Sequence, residues 1–477
     1  MSLLDILILI LAALLIRILF PGKLRLWSML AASIFAIYWL QPALPIRNMD
    51  FWFPTATLAL IFLSWGLTAD REQLKRPQNF LAGGLSLVMV FLISLTRLIS
   101  LEGVITPTRP PQIYLVAGIL AILSILAFLL VRFAQPNKTV ISLGILALLL
   151  LFLFLKTPIL ADYGSMGLRR IMAQDPTLAK PTDLGWLGFS YVAFRLIHTL
   201  IDRANGRLKD IRLGEYLVYT LFFPAFVAGP LDRLERFRRD LNNPHPLNGD
   251  TILQSGKCLA TGLFFKFILA DSLSLIALSG GNFDQVGSAG WMWLLLSAYS
   301  FMIYFDFAGY TDIAIGMGWL LGFQLPENFN RPYLKPNITQ FWNNWHMTLT
   351  QWFRSYFFFP LTRTLRSNKK LPASLVIFIT QFSTMLVIGL WHGVTLSFLI
   401  WGAWHGLGLF AHNRWHALVG PRMANLKQQQ PLLSHVMNLG GILLTFLFVS
   451  LGWVWFALPD AASAMTALTT LFSMGGS

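Results

Sequence analysis

Residues 373–391, ASLVIFITQFSTMLVIGLW, decide what kind of fold this chain can adopt. The stretch contains no charged side chain, and about 20 consecutive apolar residues are enough to cross the hydrocarbon core of a bilayer as one helix. The residue that follows directly is His392. An ionisable side chain at membrane depth is unfavourable, by about 2.5–3.5 kcal/mol when it is charged, so this position needs an explanation from the rest of the sequence.

The composition of the whole chain agrees with this stretch. Of its 477 residues, 56% are hydrophobic and 12% are charged, whereas soluble domains carry about 25% charged residues. The net charge of +15 comes from basic residues clustered between apolar runs, a pattern typical of cytoplasmic loops beside anionic lipid and not of nucleic-acid binding. The single cysteine, Cys258, excludes an internal disulfide and a multi-cysteine metal site.

Apolar runs of spanning length recur along the sequence. They predict an all-α polytopic membrane protein with about twelve membrane-spanning helices that enclose a central cavity. Because basic loops face the cytoplasm, Lys23 and Arg25 place the end of the first run inside, and we expect an uncleaved span there rather than a signal peptide. The candidate spans are residues 3–20, 27–44, 51–68, 80–96, 113–131, 139–155, 184–201, 259–278, 291–307, 373–391, 398–415 and 436–456.

Two stretches depart from the spanning pattern. Residues 216–231 are apolar but short, with basic clusters on both sides. They predict a re-entrant or interfacial segment broken at Pro224 and Gly229, which membrane depth tolerates only where protein or water satisfies the backbone. Residues 305–360 are too polar for lipid-facing helices and too aromatic for a solvated loop. They predict short helices near the cytoplasmic face, one of them beginning at Asn337.

Eight histidines are the main candidates for chemistry. In the apolar run that ends at His392, a neutral imidazole is less costly than a charged one, and it can accept a proton as a general base must. A hydrogen bond between helices explains the same histidine equally well. If it is a base, Gly389 and Gly393 would leave room for a substrate, and Trp391 would wall the cavity.

The other histidines divide into three groups. His346 is predicted to share one helix face, through spacings of three and four, with Trp342, Trp345, Leu349 and Phe353. His405 repeats the Trp-His-Gly string and either lies beside the site or packs helices through Gly402 and Gly406. His198, beside Arg195, fits a polar contact between helices as well as a functional role. Surface positions are expected for His245, His412, His416 and His435.

Two long motifs carry a family resemblance. YFDFAGYTDIAIGMGWLLGFQLPENFNRPYLKPNITQFWNNWHMTLTQWFRSYFFFPL (304–361) is followed by GLWHGVTLSFLIWGAWHGLGL (389–409). Together they resemble the core of the membrane-bound O-acyltransferase family, and FFPAFVAGPLDRLERF (222–237) resembles its bacterial branch, which includes the membrane proteins of alginate O-acetylation and teichoic acid D-alanylation. The resemblance covers about residues 184–415, while the earlier part of the chain matches only in hydropathy.

The resemblance implies acyl transfer from a thioester to a hydroxyl, with His392 as the general base and His346 orienting the donor or stabilising the developing charge. It implies no bound cofactor or metal. The acyl donor would be acetyl-CoA or an acyl carrier protein, and the acceptor an extracytoplasmic polysaccharide or cell-wall glycopolymer. A periplasmic or membrane-anchored esterase-like acetyltransferase would be the partner, in the lipid of the bacterial inner membrane. Trp345, Asn344, Trp391 and Asp306 are the candidates for lining the cavity.

The resemblance also divides the chain into membrane helices at 1–183, an acyltransferase core at 184–415, and a C-terminal helix and tail at 416–477. Two alternatives remain open. D-alanyl transfer to a teichoic-type polymer belongs to the same family. A transporter or flippase of glycopolymer intermediates fits the composition and the broken helices, although it does not explain two Trp-His motifs.

Overall fold

A computed structural model describes residues 1–133, 137–208, 210–367 and 370–473. Within these ranges the chain is helical, without a β-strand, so the predicted all-α class is confirmed. The α-helices are α1 Leu3–Leu19, α2 Lys23–Trp39, α3 Met49–Thr68, α4 Arg71–Leu74, α5 Pro77–Leu95, α6 Ile113–Phe133, α7 Lys138–Lys156, α8 Pro158–Ile171, α9 Phe189–Ala204, α10 Leu213–Leu221, α11 Leu234–Asn242, α12 Gly249–Leu263, α13 Asp271–Ser274, α14 Ala289–Leu321, α15 Ile338–Asn344, α16 Met347–Phe353, α17 Phe359–Ser367, α18 Ala373–His392, α19 Leu396–Gln429, α20 Pro431–Ala457 and α21 Ala461–Phe472. Two π-helical segments, Phe264–Ala270 and Arg354–Phe358, continue α12 and α16.

Seven helical stretches in the described part of the chain are long and apolar enough to cross a membrane. They are Met49–Thr68, Pro77–Leu98, Lys138–Lys156, Gly249–Ser274, Ala289–Leu321, Ala373–His392 and Pro431–Ala457. The expected number of about twelve is therefore not confirmed. Length is one reason: α1 and α2 have 17 residues each, which at 1.5 Å per residue gives about 26 Å against a hydrocarbon core of about 30 Å.

The described residues form two compact units. The first comprises Met1–Ala260 and Asp312–Pro326, and the second comprises Thr261–Thr311 and Glu327–Ser477. The 33-residue helix α14 contributes its first part to the second unit and its end to the first unit. The three sequence segments divided at 183/184 and 415/416 were defined by motif content, and they remain a prediction.

The first unit buries the segment predicted to be re-entrant. α10 has nine residues, all buried, and a 3-10 turn at Phe223–Ala225 follows it. Nine residues rise about 14 Å, too little to cross a bilayer, which supports a broken segment. Arg195 of α9 donates hydrogen bonds to the carbonyl oxygens of Thr220 (2.8 Å) and Ala225 (2.9 Å). These bonds satisfy backbone acceptors where the helix ends.

A second buried arginine acts on the ends of two other helices of the first unit. Arg25 of α2 is 4% exposed. Its guanidinium donates to the carbonyl oxygen of Leu321 (2.9 Å), the last residue of α14, and to that of Leu241 (2.5 Å) in α11. It also lies 5.5 Å from the ring centre of Phe323. The last carbonyls of a helix have no intrahelical donor. Arg25 supplies that donor at the ends of α14 and α11, and it thereby links α2 to both helices.

The second unit contains the helix pair that carries the predicted general base. α18 and α19 are antiparallel neighbours joined by residues 393–395. A Cβ on Gly402 would lie 2.6 Å from the Met385 oxygen, and one on Gly406 would lie 3.1 Å from the Phe382 Cα. These glycines therefore allow the two backbones to approach closely, and the helix-packing role expected of them is confirmed.

Candidate active site

The structure corrects the predicted helix around His346. α15 ends at Asn344 and α16 begins at Met347, so the side chains from Trp342 to Phe353 do not lie on one continuous helix face. His346 stands between the two helices with φ 42° and ψ 54°, a left-handed conformation that is uncommon for residues other than glycine. The predicted start of α15 is confirmed, because the Asn337 side chain accepts a hydrogen bond from the Gln340 N–H (2.9 Å).

Asn328 holds both the backbone and the imidazole at this break. Its backbone carbonyl oxygen accepts a hydrogen bond from the Met347 N–H (2.9 Å). Its side-chain Oδ1 lies 3.0 Å from His346 Nδ1. The same Oδ1 accepts from the backbone N–H (3.2 Å) and the hydroxyl (2.9 Å) of Thr348. Asn328 and His346 are 1% and 3% exposed. Asn328 lies within the first family motif, but no local pattern predicts its role, because its partner is 18 residues away.

Aromatic rings surround the His346 imidazole. The ring centres of Phe307, Phe329 and Trp391 lie 4.7, 6.4 and 6.3 Å from it. Burial lowers the pKa of His346 to about 3, because the charged form is poorly solvated there. The imidazole is therefore neutral at pH 7, and its Nε2 has no hydrogen-bond partner among the described residues.

His392 is the last residue of α18 and is half-buried. Its ring centre lies 4.4 Å from Trp391, 5.4 Å from Trp401 and 4.7 Å from Phe456. Trp391 thus contacts both imidazoles, that of His392 and that of His346, and brings the two predicted catalytic residues into one aromatic cluster.

The two glycines near His392 have a different role from the one predicted. A Cβ on Gly389 would lie 2.3 Å from the Phe398 backbone oxygen, and one on Gly393 would lie 2.8 Å from the Phe398 ring. Phe398 occupies the space around both glycines. They therefore permit contact between α18 and the start of α19, and the prediction that they leave room for a substrate is wrong.

The four residues predicted to line the cavity make different contacts in the structure. Trp345 packs inside the second unit, stacked on Phe341 at 5.5 Å, next to the break at His346. The Asn344 side chain donates back to the Gln340 carbonyl (2.8 Å) within α15. Asp306 is paired with Lys266 of the first π-helical segment at 2.5 Å. Trp391 is therefore the candidate that directly contacts both histidines.

His405 is buried beside the same cluster. It is 0% exposed, and its ring centre lies 5.2 Å from Trp342 and 4.9 Å from Trp401. Neither ring nitrogen has a hydrogen-bond partner among the described residues. A Cβ on Gly452 would lie 2.7 Å from Nε2, so that edge of the imidazole is closed by α20. His405 therefore supports the aromatic cluster through packing.

Three of the remaining histidines have hydrogen-bond partners elsewhere in the structure. His198 lies 3.1 Å from the Tyr219 hydroxyl, which is the predicted contact between helices. His412 lies 2.9 Å from the Thr339 hydroxyl, and His435 lies 2.9 Å from the Pro431 carbonyl within α20. In the described ranges, no group of three or more histidine, cysteine, aspartate or glutamate side chains could hold a metal ion.

Comparisons with known proteins agree with the two motifs. A profile of MBOAT, the membrane-bound O-acyltransferase family, matches residues 51–452. A probable alginate O-acetylase AlgI of Pseudomonas syringae pv. tomato is 31% identical over 370 residues, which cover 77% of this chain and 62% of the relative. A teichoic acid D-alanyltransferase of Streptococcus thermophilus is 35% identical over 248 residues, covering 49% of this chain and 58% of the relative. A peptidoglycan O-acetyltransferase of Helicobacter pylori is 33% identical over 269 residues, covering 55% and 47%. The matched part of the chain thus spans about half to three fifths of these relatives.

Proposed function

Because the chain belongs to the membrane-bound O-acyltransferase family, we propose that it transfers an acetyl group from a thioester to the hydroxyls of a polysaccharide or cell-wall glycopolymer. The observation that carries this proposal is the placement of His346 and His392 on one shared ring, Trp391. Both imidazoles belong to the family motifs, and a neutral imidazole is the group that deprotonates an alcohol near pH 7.

The reaction needs one activated oxygen. A thioester carbon is already electrophilic, so the base has to take the proton from the acceptor hydroxyl. In the proposed step, His392 accepts that proton while the oxygen attacks the thioester carbon and a C–O bond forms. The C–S bond then breaks, and the leaving thiolate recovers the proton from the imidazolium. His346, whose ring contacts the same Trp391, would orient the substrate.

An acetyl group is proposed over D-alanine on the basis of coverage. The alginate O-acetylase aligns with 77% of this chain, whereas the D-alanyltransferase aligns with 49%. The donor in this proposal is cytoplasmic, either acetyl-CoA or an acetylated carrier protein. A periplasmic or membrane-anchored esterase-like acetyltransferase would complete delivery to the polymer, and the inner membrane of a bacterium is the proposed location.

The test is acyl transfer by the purified protein in lipid vesicles. Vesicles are supplied with radiolabelled acetyl-CoA, acetylated carrier protein or D-alanylated carrier protein, together with soluble oligosaccharide acceptors. We expect the parent to consume the acetyl thioester, and His392→Ala to consume it about 10²–10⁴-fold more slowly. His392→Gln can form a hydrogen bond but cannot take a proton, and it should be nearly as slow. Parental turnover in His392→Gln would refute the base assignment, and D-alanylated product alone would refute the acetyl assignment.

The same vesicles separate the enzyme from the transporter alternative. A protein that only moves glycopolymer intermediates should keep moving a fluorescent lipid-linked saccharide after His392→Ala, and it should not consume thioester. We expect the protein to consume thioester, and we expect this consumption to be lost in His392→Ala.

A further inference from the structure

We infer that Asn328 is a positioning residue that fixes the tautomer of His346, so that the imidazole presents Nε2 as a hydrogen-bond acceptor to a donor group of the substrate other than the proton that His392 takes. This inference rests on the proposed function for the identity of the substrate. The tautomer itself follows from the hydrogen bonds around Asn328, which do not depend on the reaction.

The orientation of the Asn328 amide comes first. Its Oδ1 lies 3.2 Å from the backbone nitrogen of Thr348 and 2.9 Å from the Thr348 hydroxyl. A backbone N–H can only donate. The amide atom that faces it must therefore be the oxygen, because the amide nitrogen would place two donors against each other.

The tautomer of His346 follows from that orientation. The same oxygen lies 3.0 Å from His346 Nδ1, and an amide oxygen can only accept. Nδ1 must therefore carry the proton. In a neutral imidazole one nitrogen donates and the other accepts, so Nε2 holds the lone pair. Nε2 is buried and has no partner among the described residues, so that lone pair is not used within the described structure.

The backbone at the break supports the same role. His346 keeps its left-handed conformation between two bonds to the loop that contains Asn328. The Met347 N–H donates to the Asn328 carbonyl (2.9 Å), and the Asn330 N–H donates to the Asn344 carbonyl (3.0 Å). A strained non-glycine residue persists only where its surroundings determine it. Changing the Asn328 side chain leaves both backbone bonds in place, so a substitution tests the side chain alone.

This tautomer decides between the two roles that the resemblance allowed for His346. An oxyanion needs a hydrogen-bond donor, and the Nδ1–H is already bonded to Asn328. The Nε2 lone pair can only accept a hydrogen bond. His346 therefore orients a donor group of the substrate and is not the group that stabilises the developing negative charge.

The first experiment reads the tautomer without using activity. Protein labelled with ring-¹⁵N histidine is reconstituted in lipid and examined by solid-state NMR at pH 7, and the spectrum of His346→Gln is subtracted from that of the parent. We expect the difference signal of a neutral imidazole protonated at Nδ1. In Asn328→Ala we expect both neutral tautomers. A parent signal protonated at Nε2, or charged, would overturn the inference.

The second experiment measures kcat and KM in the acyl-transfer assay. Asn328→Ala should lower kcat by about 10–100-fold, the usual effect of removing a group that orients a functional histidine, with KM for the donor close to the parent. Thr348→Val is the matched control, since it removes one contact to the same oxygen and keeps the bond to His346. Equal losses in Thr348→Val and Asn328→Ala, or parental kcat in Asn328→Ala, would overturn the inference.

Asn328→Asp provides a second test of the inference in case the alanine variant does not fold. A carboxylate keeps the acceptor oxygen and favours the imidazolium, so we expect retained Nδ1 protonation and an acid limb of the pH–rate profile displaced to higher pH. An unchanged profile would contradict the inference. If the parent shows the expected tautomer but transfers no acyl group, the proposed function fails while the assignment of the tautomer is supported.

Discussion

The contact between α18 and α19 makes Gly389→Ala a demanding test of the site. The added Cβ would lie 2.3 Å from the Phe398 oxygen, whereas real Cβ contacts essentially never fall under 3.0 Å. The next nearest atoms, in Phe398 and Gly402, are also backbone, so no side chain can turn aside. The two helices must separate by at least about 0.7 Å, and overpacking of this kind costs about 1–3 kcal/mol.

The displacement would reach the chemistry because His392 lies three residues further along α18. Its imidazole packs 5.4 Å from Trp401 of α19, and separating the helices changes that contact. A misplacement of about 1 Å can lower an enzymatic rate by about 10²-fold. We therefore expect Gly389→Ala to lose turnover by about 10–10²-fold, although it changes no group that takes part in the reaction.

The chain offers a matched control for this substitution. Gly440 lies in α20, and a Cβ there meets nothing within 4 Å. Alanine is a better helix former than glycine by about 1 kcal/mol, so Gly440→Ala should keep or raise stability and keep turnover. Thermal unfolding in detergent measures the first effect, at about 1 °C per kcal/mol for a chain of this length, and the vesicle assay measures the second. If Gly389→Ala behaves like Gly440→Ala in both, the close approach of α18 and α19 is refuted.

Three further outcomes are expected. His346→Ala should fold and lose activity, but less than His392→Ala, in the vesicle assay; parental turnover would make His346 structural. In a Cys258→Ser background, cysteines placed at Arg207 and Arg238 should both react with an impermeant thiol reagent from the cytoplasmic side, and labelling from opposite sides would show that residues 216–231 cross the membrane. Because burial lowers the pKa of His346 from 6.5 to about 3, protons bind the unfolded chain more tightly than the folded one below pH 6.5. The parent should then lose stability relative to His346→Gln as pH falls from 6.5, by at most about 1.4 kcal/mol per pH unit, and equal pH dependence of their thermal unfolding would contradict a neutral buried His346.

The sequence was sufficient where the signal is local. Apolar run length predicted the all-α class, and the short apolar stretch at residues 216–231 predicted a broken segment, which agrees with the nine-residue α10 and the turn after it. The cap at Asn337 was also evident, because an asparagine bonded to the N–H three residues later is a local pattern. His392 and His346 were recognisable from their motifs, and the structure places both against Trp391.

The sequence was insufficient where a distant partner decides. Spacing predicted one helix through His346, but bonds to Asn328 and Asn330 hold a break there. A left-handed backbone is uncommon for any residue other than glycine, so the sequence alone did not predict it at this histidine. Gly389 suggested room for a substrate, because a glycine in a helix does not reveal what approaches it. The Phe398 oxygen that occupies this space becomes visible only when α18 and α19 are placed together.

The bonds made by Arg25 bear on how far this chain could be shortened. A fragment beginning at residue 184 would keep the three motifs quoted in the sequence analysis, yet it would lose residues 51–183 of the family match and the guanidinium that binds the carbonyl oxygens of Leu241 and Leu321. A buried acceptor that loses its donor costs about 1–3 kcal/mol. One of the two ends so exposed belongs to α14, the helix whose Phe307 ring packs on His346. Excision of the motif-bearing part should therefore fray the end of α14, and a fragment that keeps this contact has to include Arg25.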